Sequence, residues 1–399
     1  MTTTVRDLVA EYAGVFDAVG REAVERERER RHPFAEIELL RDAGFPRVTL
    51  PPEYGGRGAD HHELFELLAE LARRDSNLAQ LFRSHFSFID RALHSPDPAR
   101  RDHHLTLIAE GALHGNATFE KGPAKVGAFE TKVTRDAEGL RLDGTKYYST
   151  GTLYADLVSV AADFDGESVG VLVRTDAPGV VRVDDWRGFG QRLTGSGTTI
   201  FDGVRVDESA VIMRLGQEAL AHAGAFVQLV LLAVVAGIGR AVVDDATSYV
   251  RGRSRSYSHA SAATPREDPI VQETLGELSA LSFSADAALA AGAESIARSS
   301  AAVLKGDDPE TRRRRVADAD LAVTRAQLVV LPAVLDAATK LFEVGGASAV
   351  DGHAALDRHW RNARTLASHN PLRYKARGVG EHLLGGTPVV SWWSSGEGA

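Results

Sequence analysis

The chain contains no cysteine among its 399 residues. Thiol nucleophiles, thiolate metal sites, iron–sulfur clusters and disulfides are therefore excluded together, and nothing points to an oxidising compartment. Other signatures are missing as well. No P-loop and no zinc-protease helix with His residues four apart occurs, which removes the usual marks of phosphoryl transfer and of zinc proteolysis. The string nearest to a dinucleotide fingerprint, Gly237-Ile238-Gly239, follows a helical run rather than a strand and has Val242 at its third glycine position, so no nicotinamide site is expected. Positive charge is in deficit: 46 Lys and Arg against 55 Asp and Glu leave a net −9, which repels phosphate backbones. The run Arg312 to Arg315 is flanked by Asp307, Asp308, Glu310, Asp318 and Asp320, so its field largely cancels. No nucleic acid is expected as a partner.

No membrane is expected either. Ala223 to Gly239 is a 17-residue apolar stretch, but it is short for a span, includes Gln228 and three glycines, and lacks flanking aromatic anchors. A helix buried in a bundle is the expectation. Met1 to Ala10 has no signal-peptide core, which makes the cytoplasm the expected location. Neighbouring residues point in different directions on a helix, so the pairs His61-His62 and His103-His104 give no reason to expect a metal.

What is present divides the chain in three. Up to about residue 115, apolar residues recur at helical spacing, as at Leu64, Leu67, Leu68 and Leu71. Arg21 to Arg31 interleaves Glu and Arg four apart, as on a solvated helix face. From 116 to 213 the period becomes two, as in Leu140-Arg141-Leu142 and Val181-Arg182-Val183, with turns offered by Asp143-Gly144, Asp165-Gly166 and Asp202-Gly203. An antiparallel β-domain is expected there. From 214 to 399 the chain is Ala-rich and helical again, consistent with a C-terminal four-helix bundle. The fold class is α+β.

Three strings occur in order: Pro52-Glu53-Tyr54-Gly55-Gly56-Arg57-Gly58, Asp143 to Gly151 with Ala155-Asp156, and Phe201-Asp202-Gly203-Val204-Arg205-Val206. In these the sequence resembles the acyl-CoA dehydrogenase superfamily, which implies that fold, a flavin between the β-domain and the C-terminal bundle, and a homotetramer. The dehydrogenase branch places a catalytic glutamate after an Arg-Asp-Ala-like string. Here the matching strings are Arg361-Asn362-Ala363-Arg364 and Ser368-His369-Asn370-Pro371, which hold no carboxylate. Asp185 to Thr198, Leu356 to Arg364, and His369-Asn370-Pro371 with Tyr374-Lys375 resemble instead the dibenzothiophene monooxygenase-like, two-component flavin monooxygenases. That resemblance implies reduced FMN delivered by a separate flavin reductase, transiently or by free diffusion. It also implies dioxygen as co-substrate, a C4a-hydroperoxyflavin, and a small organic substrate that receives one oxygen atom. FAD is also compatible with the residue types, and an acyl-CoA dehydrogenase or oxidase remains the alternative.

The same resemblance assigns the site. His369, Ser149 and His85 are the catalytic candidates. Asn116, Ser149, Trp186, Ser196, Arg253 and Arg255 are the cofactor-binding ones, the two arginines as phosphate ligands across a subunit boundary. The chemistry is reasonable: an oxygenating pocket needs few polar groups and little water, hydroxyl and amide groups bind a ring edge without fixing a charge, and guanidinium matches phosphate. Ordinary structural roles stay open to each, as a turn Asn, a strand-end Ser, a core Trp, a structural His or a solvated arginine loop.

Overall fold

Acidic residues followed by proline open three of the helices. Asp97-Pro98, Asp268-Pro269 and Asp308-Pro309 each cap the next backbone N–H groups with the Asp carboxylate, while proline fills a position whose N–H has no helical partner. Asp60 forms a reciprocal box with Glu63 at a fourth helix start. The computed structural model describes residues 5–122, 129–213, 217–369 and 371–389. The N-terminal helices are α1 (Val5–Gly20), α2 (Ala23–Glu29), α3 (Phe34–Asp42), α4 (His61–Arg74), α5 (Ser76–Leu81), α6 (Arg83–Leu93) and α7 (Pro98–Ala109). The strands are β1 (His114–Ala117), β2 (Lys132–Asp136), β3 (Gly139–Lys146), β4 (Leu157–Phe164), β5 (Glu167–Arg174), β6 (Val180–Val183), β7 (Thr198–Val206) and β8 (Val211–Met213). Then come α8 (Gln217–Gly252), α9 (Pro269–Leu304), α10 (Pro309–Lys340), α11 (Asp357–Ala367) and α12 (Leu372–Gly385).

The sheet runs β6-β7-β3-β2-β4-β5-β8, with β1 also on β4. It is mixed, not antiparallel throughout, because β4 takes both β1 and β2 in parallel. A period of two reports which face a side chain occupies but says nothing of chain direction. Asp165-Gly166 makes the expected hairpin between β4 and β5, both residues at positive φ. Asp143-Gly144 and Asp202-Gly203 do not turn the chain. They lie opposite each other at a register shift between β3 and β7, where Asp143 Oδ1 accepts from the Gly203 N–H at 2.8 Å. Positive φ serves a bulge as well as a turn.

The β-domain has its own core around Val133, Leu142, Val158, Val171 and Phe201. The N- and C-terminal helices share the other. Three long helices, α8, α9 and α10, carry the bundle with the shorter α11 and α12, and α4 packs along α8. Gly237 makes that contact possible, since a Cβ there would lie 2.3 Å from the Ala69 carbonyl oxygen of α4. The Gly-Ile-Gly string thus serves helix packing. Ala221–Gly252 is long and apolar enough to cross a membrane, yet 83% of its most apolar window is buried within this fold.

Candidate active site

Between β3 and β4 the backbone is forced into a tight cradle. Tyr148 sits at φ +59° and Gly151 at +81°, and a Cβ on Gly151 would lie 2.6 Å from the Leu81 carbonyl oxygen, so the turn is pressed against the end of α5. The Ser149 N–H donates to Gly197 O (3.2 Å) and the Gly151 N–H to Thr194 O (2.9 Å), which joins the turn to the loop before β7. Ser196 Oγ lies 2.8 Å from Thr150 Oγ1 and 2.7 Å from Thr194 Oγ1. Ser149 is buried, and its Oγ has no hydrogen-bond partner among the described residues. Trp186 donates from Nε1 to Gln191 O (3.0 Å) and meets the half-exposed Tyr148 ring edge-on at 6.0 Å.

The helical side of the site carries positive charge. Arg83, the first residue of α6, donates from Nη1 to His369 Nε2 at 3.0 Å, between α11 and α12. An arginine can only donate, so Nε2 accepts and the ring proton is on Nδ1. Burial, the charge of Arg83 and the charge of Lys375 together hold His369 down at about 3. His369 is therefore a neutral imidazole at any ordinary pH. Burial likewise pushes Lys375 down to about 8, against the opposing pull of Asp320.

The loop from 184 to 197 is anchored through two asparagines. Asn362 Oδ1 accepts from the Gln191 N–H (2.6 Å) and Asn77 Oδ1 from the Leu193 N–H (3.1 Å). Both amides donate in turn to the buried Glu27 carboxylate, at 2.8 and 3.3 Å, and Arg361 adds a third bond at 2.9 Å. Helices from both ends of the chain thus set the loop that carries Trp186 and Ser196.

The helical regions match the family models described as acyl-CoA dehydrogenase N-terminal domain, over residues 2–112, and acyl-CoA dehydrogenase C-terminal domain, over residues 229–374. The chain is 30% identical to a dibenzothiophene monooxygenase of Rhodococcus qingshengii, over 98% of this chain and 96% of that protein. The chain belongs to the flavin-dependent monooxygenases of the acyl-CoA dehydrogenase fold. A probable FMNH2-dependent monooxygenase, SfnC, of Pseudomonas putida is 29% identical, covering 97% of this chain and 96% of its own length. Among solved structures, FMN-bound TdsC from Paenibacillus sp. A11-2 superimposes with a TM-score of 0.86 at 28% identity, over 97% of this chain and 99% of that one.

For a flavin monooxygenase the cradle has suitable chemistry. Its unbonded, buried Ser149 hydroxyl is a polar atom that needs a partner, and the Thr150, Thr194 and Ser196 hydroxyls and the Tyr148 and Trp186 rings offer neutral bonding and a flat wall. Thr150 was not singled out from sequence, although it stands one residue from Ser149. Asn116 lies on β1, half-buried, with its side-chain oxygen bonded by Thr118 Oγ1 at 2.6 Å. Asn370 lies outside the described residues.

Two residues assigned from the resemblance are bonded within the chain. His85 does not present a ring nitrogen to a pocket: its Nε2 donates to Pro46 O (2.7 Å) and its Nδ1 accepts from the His114 N–H (3.2 Å). Burial draws it down to about 4, so it is a neutral tie between α6 and β1. Arg253 donates to Gly345 O (2.8 Å) and covers the Tyr249 ring within its own chain, which uses it structurally. Arg255 is exposed after α8.

His61, which in sequence gave no reason to expect a metal, joins a cluster with the buried Asp90 and His222. His61 Nε2 and His222 Nε2 donate to the two oxygens of Asp90 at 3.1 and 3.2 Å, and these three side chains are the ones among the described residues whose ligand atoms converge as a metal would need. Burial pushes the Asp90 carboxyl up, but His222, His61 and His94 outweigh it and hold it well below its usual range. A depressed carboxyl stabilises the fold above its unfolded pKa near 4, and the contribution is lost as pH falls through the native value. Asp90→Asn should cost ~1–3 kcal/mol at neutral pH, the scale of an unpaired buried polar group. Urea midpoints measured against pH should show the gap between variant and wild type closing in strong acid, and a gap that does not change with pH would contradict this.

Proposed function

We propose that the chain is the oxygenase component of a two-component system, using reduced FMN from a separate flavin reductase and dioxygen to place one oxygen atom on a small organic substrate. The observation that carries this reading against a dehydrogenase is the state of His369. An imidazole whose Nε2 accepts from a guanidinium, and which resists protonation down to about pH 3, cannot take a proton from a carbon acid. It can still donate one hydrogen bond from Nδ1. FMN, when bound, supplies the redox chemistry. Ser149 and the Thr150–Ser196 pair would bond the ring edge, Trp186 would exclude water, and His369 would hold a proton near the reacting oxygen. The similarity to FMNH2-dependent relatives supports FMN over FAD.

The purified protein alone should not oxidise NADH or NADPH, and oxygen consumption should begin only when a flavin reductase or chemically reduced FMN is supplied. Turnover of nicotinamide by the lone chain would contradict the reading.

A homotetramer is part of the proposal, supported by large apolar side chains left exposed on α9 (Ile270, Phe283) and α12 (Leu383, Leu384). Light scattering at micromolar concentration should return four times the chain mass, and a monomer would count against it. In that assembly the exposed Arg255 would be free to reach a neighbour's cofactor phosphate. A cysteine-free chain also suits the cytoplasm, where fractionation should find it.

A further inference from the structure

Arg83 is a buried cation without an anion. It is 9% exposed, its Nη1 bonds a neutral imidazole, its Nε has no partner, and no carboxylate among the described residues lies within ion-pair distance of it. Two other arginines of the interior, Arg26 and Arg240, are not left so. Arg26 is held by Asp75 and Glu36, and Arg240 by Glu66, Glu70 and Asp286. Lys375, buried nearby and close enough to act on His369, has Asp320 within its field, whereas no carboxylate among the described residues acts on Arg83. Burying an uncompensated charge is costly, and folds keep one where a ligand completes it.

We propose that Arg83 is an anion-binding residue of the substrate pocket, and that the substrate carries a small oxyanion, a carboxylate or sulfinate, at the end that lies against His369. This rests on the monooxygenase reading above. The guanidinium geometry suits such a group, because Nη1 is occupied by the imidazole while the buried Nε, on one side of the fork that grips two oxygens, has no partner among the described residues. The arrangement favours an anion over a neutral molecule of the same shape, because only the anion cancels the buried charge.

The test uses the flavin-free protein, so that it does not depend on turnover. Methane- to butanesulfinate and the matching carboxylates are titrated by calorimetry at constant ionic strength, with the neutral sulfones of the same size as controls. The wild type should bind at least one anion of the series and discriminate against its neutral counterpart. Arg83→Met should weaken that binding about 10- to 100-fold, the scale of a charge-assisted bond. Without ligand it should be no less stable than wild type, since it removes an unmatched charge. Arg83→Lys, which keeps the charge but loses the fork, should fall between them. Equal binding of anions and neutral sulfones would overturn the proposal. So would an Arg83→Met protein that binds the anions normally but loses FMN affinity, because the charge would then serve the flavin. If the wild type binds anions as expected but does not bind FMN at all, the monooxygenase reading fails and the anion site stands.

Discussion

Replacing His369 with Ala is expected to lower oxygenated product per reduced flavin by ~10²-fold or more, the scale of removing one positioned hydrogen-bond donor from an active site, while FMN affinity changes little. The imidazole bonds the Arg83 side chain rather than the β-domain cradle that carries Ser149, Thr150 and Ser196, so its loss leaves the cradle's bonds in place. What disappears is the one neutral donor held in a fixed tautomer on the helical side. Hydrogen peroxide should then take a larger share of the dioxygen consumed. The profile of product against pH gives a second readout: with His369 neutral down to about pH 3, the wild type should show no inflection from this group between pH 5 and 8. Near-normal coupling in His369→Ala would reduce it to a structural histidine.

The largest stability effect is expected at Glu27. Its carboxylate receives Arg361, Asn362 and Asn77, and the two asparagines use their oxygens to hold the backbone of Gln191 and Leu193. Glu27→Ala leaves the buried Asn362 amide without an acceptor and takes one from Arg361 and from Asn77, which keep Asp357 and Asp75, so with the space the side chain leaves it should cost ~2–4 kcal/mol. Because Asn362 loses the bond that orients it on the Gln191 N–H, the loop bearing Trp186 should loosen as well, and FMN affinity should fall with the urea midpoint. Glu27→Gln, which keeps one acceptor and loses the charge, should lie between. A stability loss in Glu27→Ala with FMN binding unchanged would show that the loop is set by its own contacts.

Much of this site is readable as sequence because it is local. Asp97-Pro98, Asp268-Pro269 and Asp308-Pro309 mark helix starts by capping chemistry that needs only neighbours in the chain. The strings around Ser149 and Ser196 hold the turn and the loop that the structure joins through the Ser149–Gly197, Gly151–Thr194 and Thr150–Ser196 bonds. What is hidden depends on partners far away. Arg83 and His85 stand two residues apart on one helix, and nothing local says that one bonds His369 while the other is spent on Pro46 and His114. His61 finds Asp90 and His222 in the same non-local way. Asp143-Gly144 misleads for a different reason: the pair signals positive φ, and the long β3–β7 ladder uses it for a bulge.

The central claim is tested most directly by mixing the protein anaerobically with one equivalent of reduced FMN and then with oxygenated buffer in a stopped-flow spectrometer. The account predicts that bound FMN reoxidises more slowly than free FMN, through a spectrum distinct from both the reduced and the oxidised cofactor. Reoxidation as fast as that of free FMN, passing straight from the reduced to the oxidised spectrum, would contradict it.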